Sequence, residues 1–365
     1  MKNVLIFKGS NKDFESEIKK YCKDKEYYSL RDLVEIADAK NVELTEARTI
    51  VIRGDEFASL NLHVISNFVN SILSKFQFNF LLVQNPPFRV EEALLNRYKK
   101  VLKKQSTYYQ PSTQDVLEYY KKLIDSDIIL GQENAKHASM SGLFKQAYQD
   151  TNDPLVLLYY GSSGIGKTEL AKHISKLYKG RLTRIQFSMM QTEDAVNYIF
   201  GSDNSRPSLA RDLISRESNV VLIDEFDKVS PAFYNVFYQM FDEGKLVDSL
   251  YKVDLKKCIF ILTSNFSDID DVVTRVGMPI FSRIDKKIKF EPLTTEDKES
   301  VIRNKFEQII NKLHDENDRA MIRQSNLEEQ YLKHADDFSN IRMLNKIIEN
   351  NVYDYLLDSK LNKIR

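Results

Sequence analysis

Residues 155–177 read Leu-Val-Leu-Leu-Tyr-Tyr-Gly-Ser-Ser-Gly-Ile-Gly-Lys-Thr-Glu-Leu-Ala-Lys-His-Ile-Ser-Lys-Leu. Leu155–Tyr160 is an unbroken apolar run, the pattern of a strand covered on both faces. From Glu169 onward the residues suit a helix. Between them stands Gly161-Ser162-Ser163-Gly164-Ile165-Gly166-Lys167-Thr168, which is GxxxxGK[ST] in the strand–loop–helix setting it requires. Glycines let the backbone wrap tightly, so that successive N–H groups and the helix N-terminus face an anion. Lys167 is then expected to reach the β- and γ-phosphates of a nucleotide, and the Thr168 hydroxyl to ligate Mg²⁺.

Two further strands point at the same place. Asn219–Ile223 is apolar and ends in Asp224-Glu225. A buried parallel strand delivers such carboxylates to the sheet's C-terminal edge, where α/β folds place ligands. Asp224 is thereby placed to hold Mg²⁺ and Glu225 to polarise an attacking water. Cys258–Leu262 ends in Thr263-Ser264-Asn265, and a polar side chain there can orient that water. Arg283, in Phe281-Ser282-Arg283-Ile284-Asp285, reads on its own as a surface charge.

Outside this region, residues 1–104 alternate short strands (Val4–Phe7, Thr49–Arg53, Phe78–Val83) with helical stretches (Phe14–Tyr21, about Ser59 to Lys75, and one opened by Val90-Glu91-Glu92). That order argues for a small parallel-sheet α/β domain. It shows no convincing chemistry: Phe7-Lys8-Gly9-Ser10 has one glycine and makes no phosphate cradle, and Asp55 reads as a loop carboxylate. Residues 105–127 are a polar linker and an entry helix, DVLEYYKKLI, capped by Ser112 or Thr113. Residues 128–292 are again α/β. Residues 293–365 turn helical (EDKESVIRNKFEQIINKL, NLEEQYLKHA, IRMLNKIIENNVYDYLLD), suggesting a lid.

At 365 residues the chain suits two or three domains, and 42% hydrophobic with 29% charged residues is a soluble globular composition. There is no stretch of eighteen apolar residues, so no membrane partner is expected. The start, MKNVLIFKGSNKDF, is neither a secretory signal nor a transit peptide, which makes cytoplasmic residence the expectation. Cys22 and Cys258 read as buried thiols rather than a disulfide or metal site, and the five histidines are scattered. Lys+Arg and Asp+Glu both total 53, against the excess of a strongly basic nucleic-acid binder. The one local candidate is Arg97-Tyr98-Lys99-Lys100 with Lys103 and Lys104, placed on a helix, and a solvated helix end explains it better than nucleic-acid contact.

From about Ile129 to Val352 the chain resembles the Clp/Hsp100 AAA+ ATPases, most of all the second ATPase module of ClpB. The matching segments are Ile129-Leu130-Gly131-Gln132-Glu133-Asn134-Ala135, the P-loop with Thr168-Glu169-Leu170-Ala171-Lys172, VVLIDEFDKVSPAFYNVFYQMFDEGKLVDS, IFILTSNF, FSRID and KFEPLT. The resemblance implies an AAA+ parallel-sheet core with a C-terminal helical lid, ATP with Mg²⁺ as the ligand, and assembly into a ring, expected to be a hexamer. It places Ile129 and Leu130 against the adenine and the P-loop through Glu169 around the nucleotide. It makes Asn265 the sensor-1 residue and Arg283 the arginine finger for a neighbouring subunit. Arg342, in Asn340-Ile341-Arg342-Met343-Leu344, takes the place of the lid arginine, without the family's flanking glycine and proline. One departure stands out. The Gly-aromatic-Val-Gly pore loop of Clp unfoldases is missing from VNYIFGSDNSRPSLARDL, where Tyr198 and Phe200 read as packing of the preceding helix before they read as pore residues.

Three functions remain open from sequence. The first is ATP-driven remodelling of a protein partner recognised by residues 1–104. The second is an ATP-switched regulatory scaffold, for example in a defence or stress system, that does not thread polypeptide. Nucleic-acid handling such as helicase loading is a third, disfavoured by the balanced charge.

Overall fold

The computed structural model describes residues 3–22, 26–38, 45–125, 129–187, 192–201, 206–338 and 340–364. Its central sheet is wholly parallel, in the order Lys286–Lys289, Leu155–Tyr160, Ile259–Thr263, Val220–Asp224, Thr183–Gln186. The register sets Leu157 opposite Ile261 and Ile261 opposite Leu222. Alternate residues therefore fall on opposite faces. Val156, Leu158, Val221, Ile223, Phe260 and Leu262 pack on one side, and Leu157, Tyr159, Leu222 and Ile261 on the other. Burial on both faces explains why these strands read as continuous apolar runs.

The second face is covered by Lys167–Leu177 through Leu170, Ala171 and Ile174. Thr113–Ile124 joins it through Val116 and Leu123, and Glu133–Gln149 through Ala135, Met140 and Leu143. Thr113–Ile124 begins at Ser112, whose hydroxyl accepts from the Asp115 N–H in a reciprocal capping box. Cys258 is buried beneath the sheet, whereas Cys22, at the end of the helix Asn11–Tyr21, is only partly buried. The expectation of two buried thiols thus fails for Cys22, which is half-buried at the edge of the cluster formed by Phe7, Phe14 and Ile18.

The N-terminal part holds a second parallel sheet, ordered Thr49–Ile52, Phe80–Gln84, Asn3–Lys8, Leu102–Ser106. Its last strand corrects the sequence expectation. Lys103 and Lys104 lie on an edge strand beside Asn3–Lys8, not on the helix, which ends at Tyr98. Lys-Lys-Gln-Ser has no apolar periodicity of its own; pairing with a buried neighbour decides its conformation. The helical run from Ser59 is likewise broken into Leu62–Ser66, Phe68–Ser71 and a 3₁₀ turn at Leu73–Lys75.

From Thr295 the described residues are mostly helical, with Thr295–Lys312 and Ile341–Ile364 the longest helices. Leu344, Ile348, Val352 and Leu356 recur every fourth residue and bury against Ile302, Phe306, Ile309 and Ile310. Among the described residues no helix is long and apolar enough to cross a membrane.

Candidate active site

Leu155–Tyr160 ends at Gly161, whose φ is +134° and whose Cα faces the Phe290 carbonyl so closely that a β-carbon would stand 2.4 Å from the oxygen. Only glycine fits there. Gly166 then caps the helix Lys167–Leu177, so the helix's free N–H groups point into the loop. The Lys167 ammonium is folded back within this cradle. Its Nζ donates to the carbonyls of Gly161 and Ser162 at 2.6 Å each and to Asn265 Oδ1 at 3.3 Å. Burial pulls the Lys167 ammonium down to about 8, against the opposing pull of Asp227 and Asp224.

Parallel pairing brings the acidic pair to the same edge. Thr263 Oγ1 donates to Asp224 Oδ1 at 2.5 Å and accepts the Glu225 N–H at 3.0 Å. Asp224 Oδ2 receives Arg184 Nε at 3.0 Å and Nη2 at 2.5 Å. Glu225 adopts a left-handed backbone with φ of +55°, a conformation that costs a non-glycine residue energy and recurs at functional sites. Lys228 Nζ lies 3.2 Å from Glu225 Oε2. Lys167, Arg184, Asp224, Glu225, Thr263 and Asn265 line a cavity of about 950 Å³ between the sheet edge and the lid. Its oxygen donors, the Thr168 hydroxyl and the Asp224 carboxylate, suit Mg²⁺ in kind, with neither thiol nor imidazole in the lining. Among the described residues there is no group of three or more His, Cys, Asp or Glu placed to hold a metal ion.

Residues 153–322 match the family described as AAA domain (Cdc48 subfamily). The chain is 37% identical over 150 residues to the mitochondrial disaggregase of Homo sapiens, covering 38% of this chain and 21% of that protein. It is 32% identical over 204 residues to the chaperone protein ClpB of Tropheryma whipplei (48% and 28% covered). With ClpB of Clostridium tetani the identity is 27% over 268 residues (64% and 30% covered). The chain carries a Clp/Hsp100-type AAA+ module. Its matches take in less than a third of the length of these relatives. Its fold is similar to a closed-state cryo-electron-microscopy reconstruction of Hsp104 with ATPγS and FITC casein, at a TM-score of 0.55 and 16% identity, covering 99% of this chain and 89% of that one.

Around the cavity of this AAA+ module stand Ile129, Leu130, the loop from Ser163 to Thr168, Glu169, Asp224, Glu225, Asn265 and Arg342. Gly161 and Ser162 lie behind the lining and reach it through their carbonyls on Lys167. Arg283 is elsewhere. Its Nε donates to Asp242 Oδ2 at 2.7 Å, Nη1 to the Pro279 carbonyl at 2.5 Å, and its guanidinium lies 4.5 Å from the Tyr238 ring centroid. Tyr198 packs on the core and donates to Asp212 Oδ2 at 2.6 Å, whereas Phe200 is 48% exposed; residues 202–205 lie outside the described residues. Sequence reasoning missed Arg184, and placed Thr263 only among the polar residues of Thr263-Ser264-Asn265 at the strand end, not as a partner of Asp224. Both hold Asp224, yet nothing in Thr183-Arg184-Ile185-Gln186 beyond strand alternation marks the arginine.

Proposed function

We propose that this chain binds ATP with Mg²⁺ at the end of its central sheet, hydrolyses it in the cytoplasm, and works in a ring, a hexamer, to remodel or control a protein partner recognised by residues 1–104. The observation that carries this reading is the convergence of Lys167, Thr168, Asp224, Glu225 and Asn265 on one cavity at a helix N-terminus. The loop N–H groups would hold the phosphates, with Lys167 turning from its own carbonyls to the phosphate oxygens. Glu225 would take a proton from water as the water oxygen bonds to the γ-phosphorus. The bond from that phosphorus to the β–γ bridging oxygen breaks, releasing ADP and phosphate. Asn265 would align the water, and Ile129 and Leu130 would pack on the adenine. A bound Mg²⁺, held by Thr168 and Asp224, would neutralise charge on the phosphate oxygens. Arg342 would meet the phosphates from the lid. Arg283, turned away from its own cavity, would serve the nucleotide of a neighbouring subunit. The names of the relatives, chaperone and disaggregase, favour a protein partner over nucleic acid.

Colorimetric phosphate release from ATP with Mg²⁺, alongside sedimentation with and without nucleotide, tests the reading. No release, or a monomer throughout, would refute it. One observation favours the scaffold alternative: Tyr198 is committed to Asp212 and the core. Unfolding of a tagged fluorescent protein by wild type would reject that alternative.

A further inference from the structure

Asp224 is already fully engaged by the chain itself. Thr263 donates to one carboxylate oxygen, and Arg184 places two N–H groups on the other. The two residues differ in freedom. Asp224 is 10% exposed, set at the end of a buried strand, whereas the Arg184 side chain is 51% exposed and lines the cavity from the sheet's edge strand. One partner of the pair is fixed and the other can swing. A guanidinium on Asp224 neutralises the charge that would attract a cation and repels a cation brought beside it.

We propose that Arg184 acts as an internal cation at the metal position: it holds Asp224 while the site is empty of metal, and a divalent cation must displace it to use that carboxylate. Arg184 is thus a positioning residue that sets the divalent-cation affinity. The inference rests on the reading of Asp224 as the cation's ligand. Oδ1 stays oriented by Thr263 throughout, because that bond is buried and tied to the Glu225 N–H. Only the Arg184 side of the carboxylate is exchanged.

The test uses Mn²⁺ alone, titrated into the nucleotide-free full chain and followed by the electron paramagnetic resonance of the free ion. Arg184→Ala should bind Mn²⁺ about tenfold more tightly than wild type, the competition expected from one charge-assisted pair. Arg184→Lys, a charge without the fork, should fall between them. Adding Asp224→Asn to Arg184→Ala should erase the gain. Equal Mn²⁺ binding by wild type and Arg184→Ala overturns the proposal, and so does a gain that survives Asp224→Asn. If Arg184→Ala fails to give a cooperative melt, Arg184→Gln, which keeps a neutral donor, replaces it with the same expected direction. Failure of wild type to bind ATP would refute the proposed function, yet this comparison contains no nucleotide and is read separately.

Discussion

Asn340 stands directly against Gly164: a β-carbon on Gly164 would come within 2.7 Å of Asn340 Oδ1 and 3.6 Å of the Arg342 nitrogen. The phosphate-type loop and the start of the long lid helix therefore touch at a glycine. Gly164 also has φ of +83°, so an added methyl is strained as well as crowded. Gly164→Ala should weaken ATP binding by about 1–3 kcal/mol, the usual cost of overpacking, by holding lid and loop apart. Titration calorimetry checks this, and unchanged affinity would mean that lid and loop need not meet.

Lys167→Ala should abolish nucleotide binding. The wild-type pH dependence follows from the ammonium being held at about 8 instead of 10.5. Between those values the unfolded chain binds more protons than the folded one, so stability without nucleotide should rise with pH through that window. Phosphate favours the charged ammonium, so ATP binding should show the opposite trend. It should take up a proton and weaken as pH climbs above about 8. Calorimetry in buffers of different ionisation enthalpy would reveal the uptake; its absence at pH 9 would contradict the assignment.

Glu225→Gln preserves size and the backbone N–H bond to Thr263 while removing the proton acceptor. It should bind ATP normally and retain it, with turnover down by about 10²–10⁴-fold, the range of a lost general base. Filter retention of labelled nucleotide measures this. Rapid turnover would show that another group accepts the proton.

Arg283 is bound to Asp242 and Tyr238 of its own chain, away from its own cavity. If it completes a neighbour's site, Arg283→Ala subunits mixed with wild type should depress activity more than in proportion to their share. An arginine finger typically contributes about 10³–10⁵ in rate. A linear fall across mixing ratios would argue for self-contained sites.

How much was legible in the sequence differs by element. The three inner strands of the central sheet could be read because both faces are buried, leaving long apolar runs such as Leu155–Tyr160. The polar edge strands could not, unlike the apolar edge strand Thr49–Ile52. Leu102–Ser106 carries two lysines, and its strand character comes wholly from the Asn3–Lys8 neighbour it pairs with. Thr183–Gln186 is equally polar, which is why Arg184 gave no signal. The P-loop announced itself because close approach and a positive φ force glycine at fixed intervals. Side chains meeting by tertiary folding, such as Arg184 on Asp224, leave no spacing to read.

The edge strand of the N-terminal sheet ends at Ser106, and Tyr108 is already seated on the other body. Its hydroxyl donates to the Ile214 carbonyl at 3.0 Å, and its ring lies 3.8 Å from the Arg216 guanidinium. Thr107 is all the chain between them. Such a junction has no slack, so a tilt of either sheet must reach the other as a rigid lever, where a loose tether would absorb it. Cutting the chain at residue 105 would split a paired strand, and a fragment begun there would lose stiffness along with its first hundred residues.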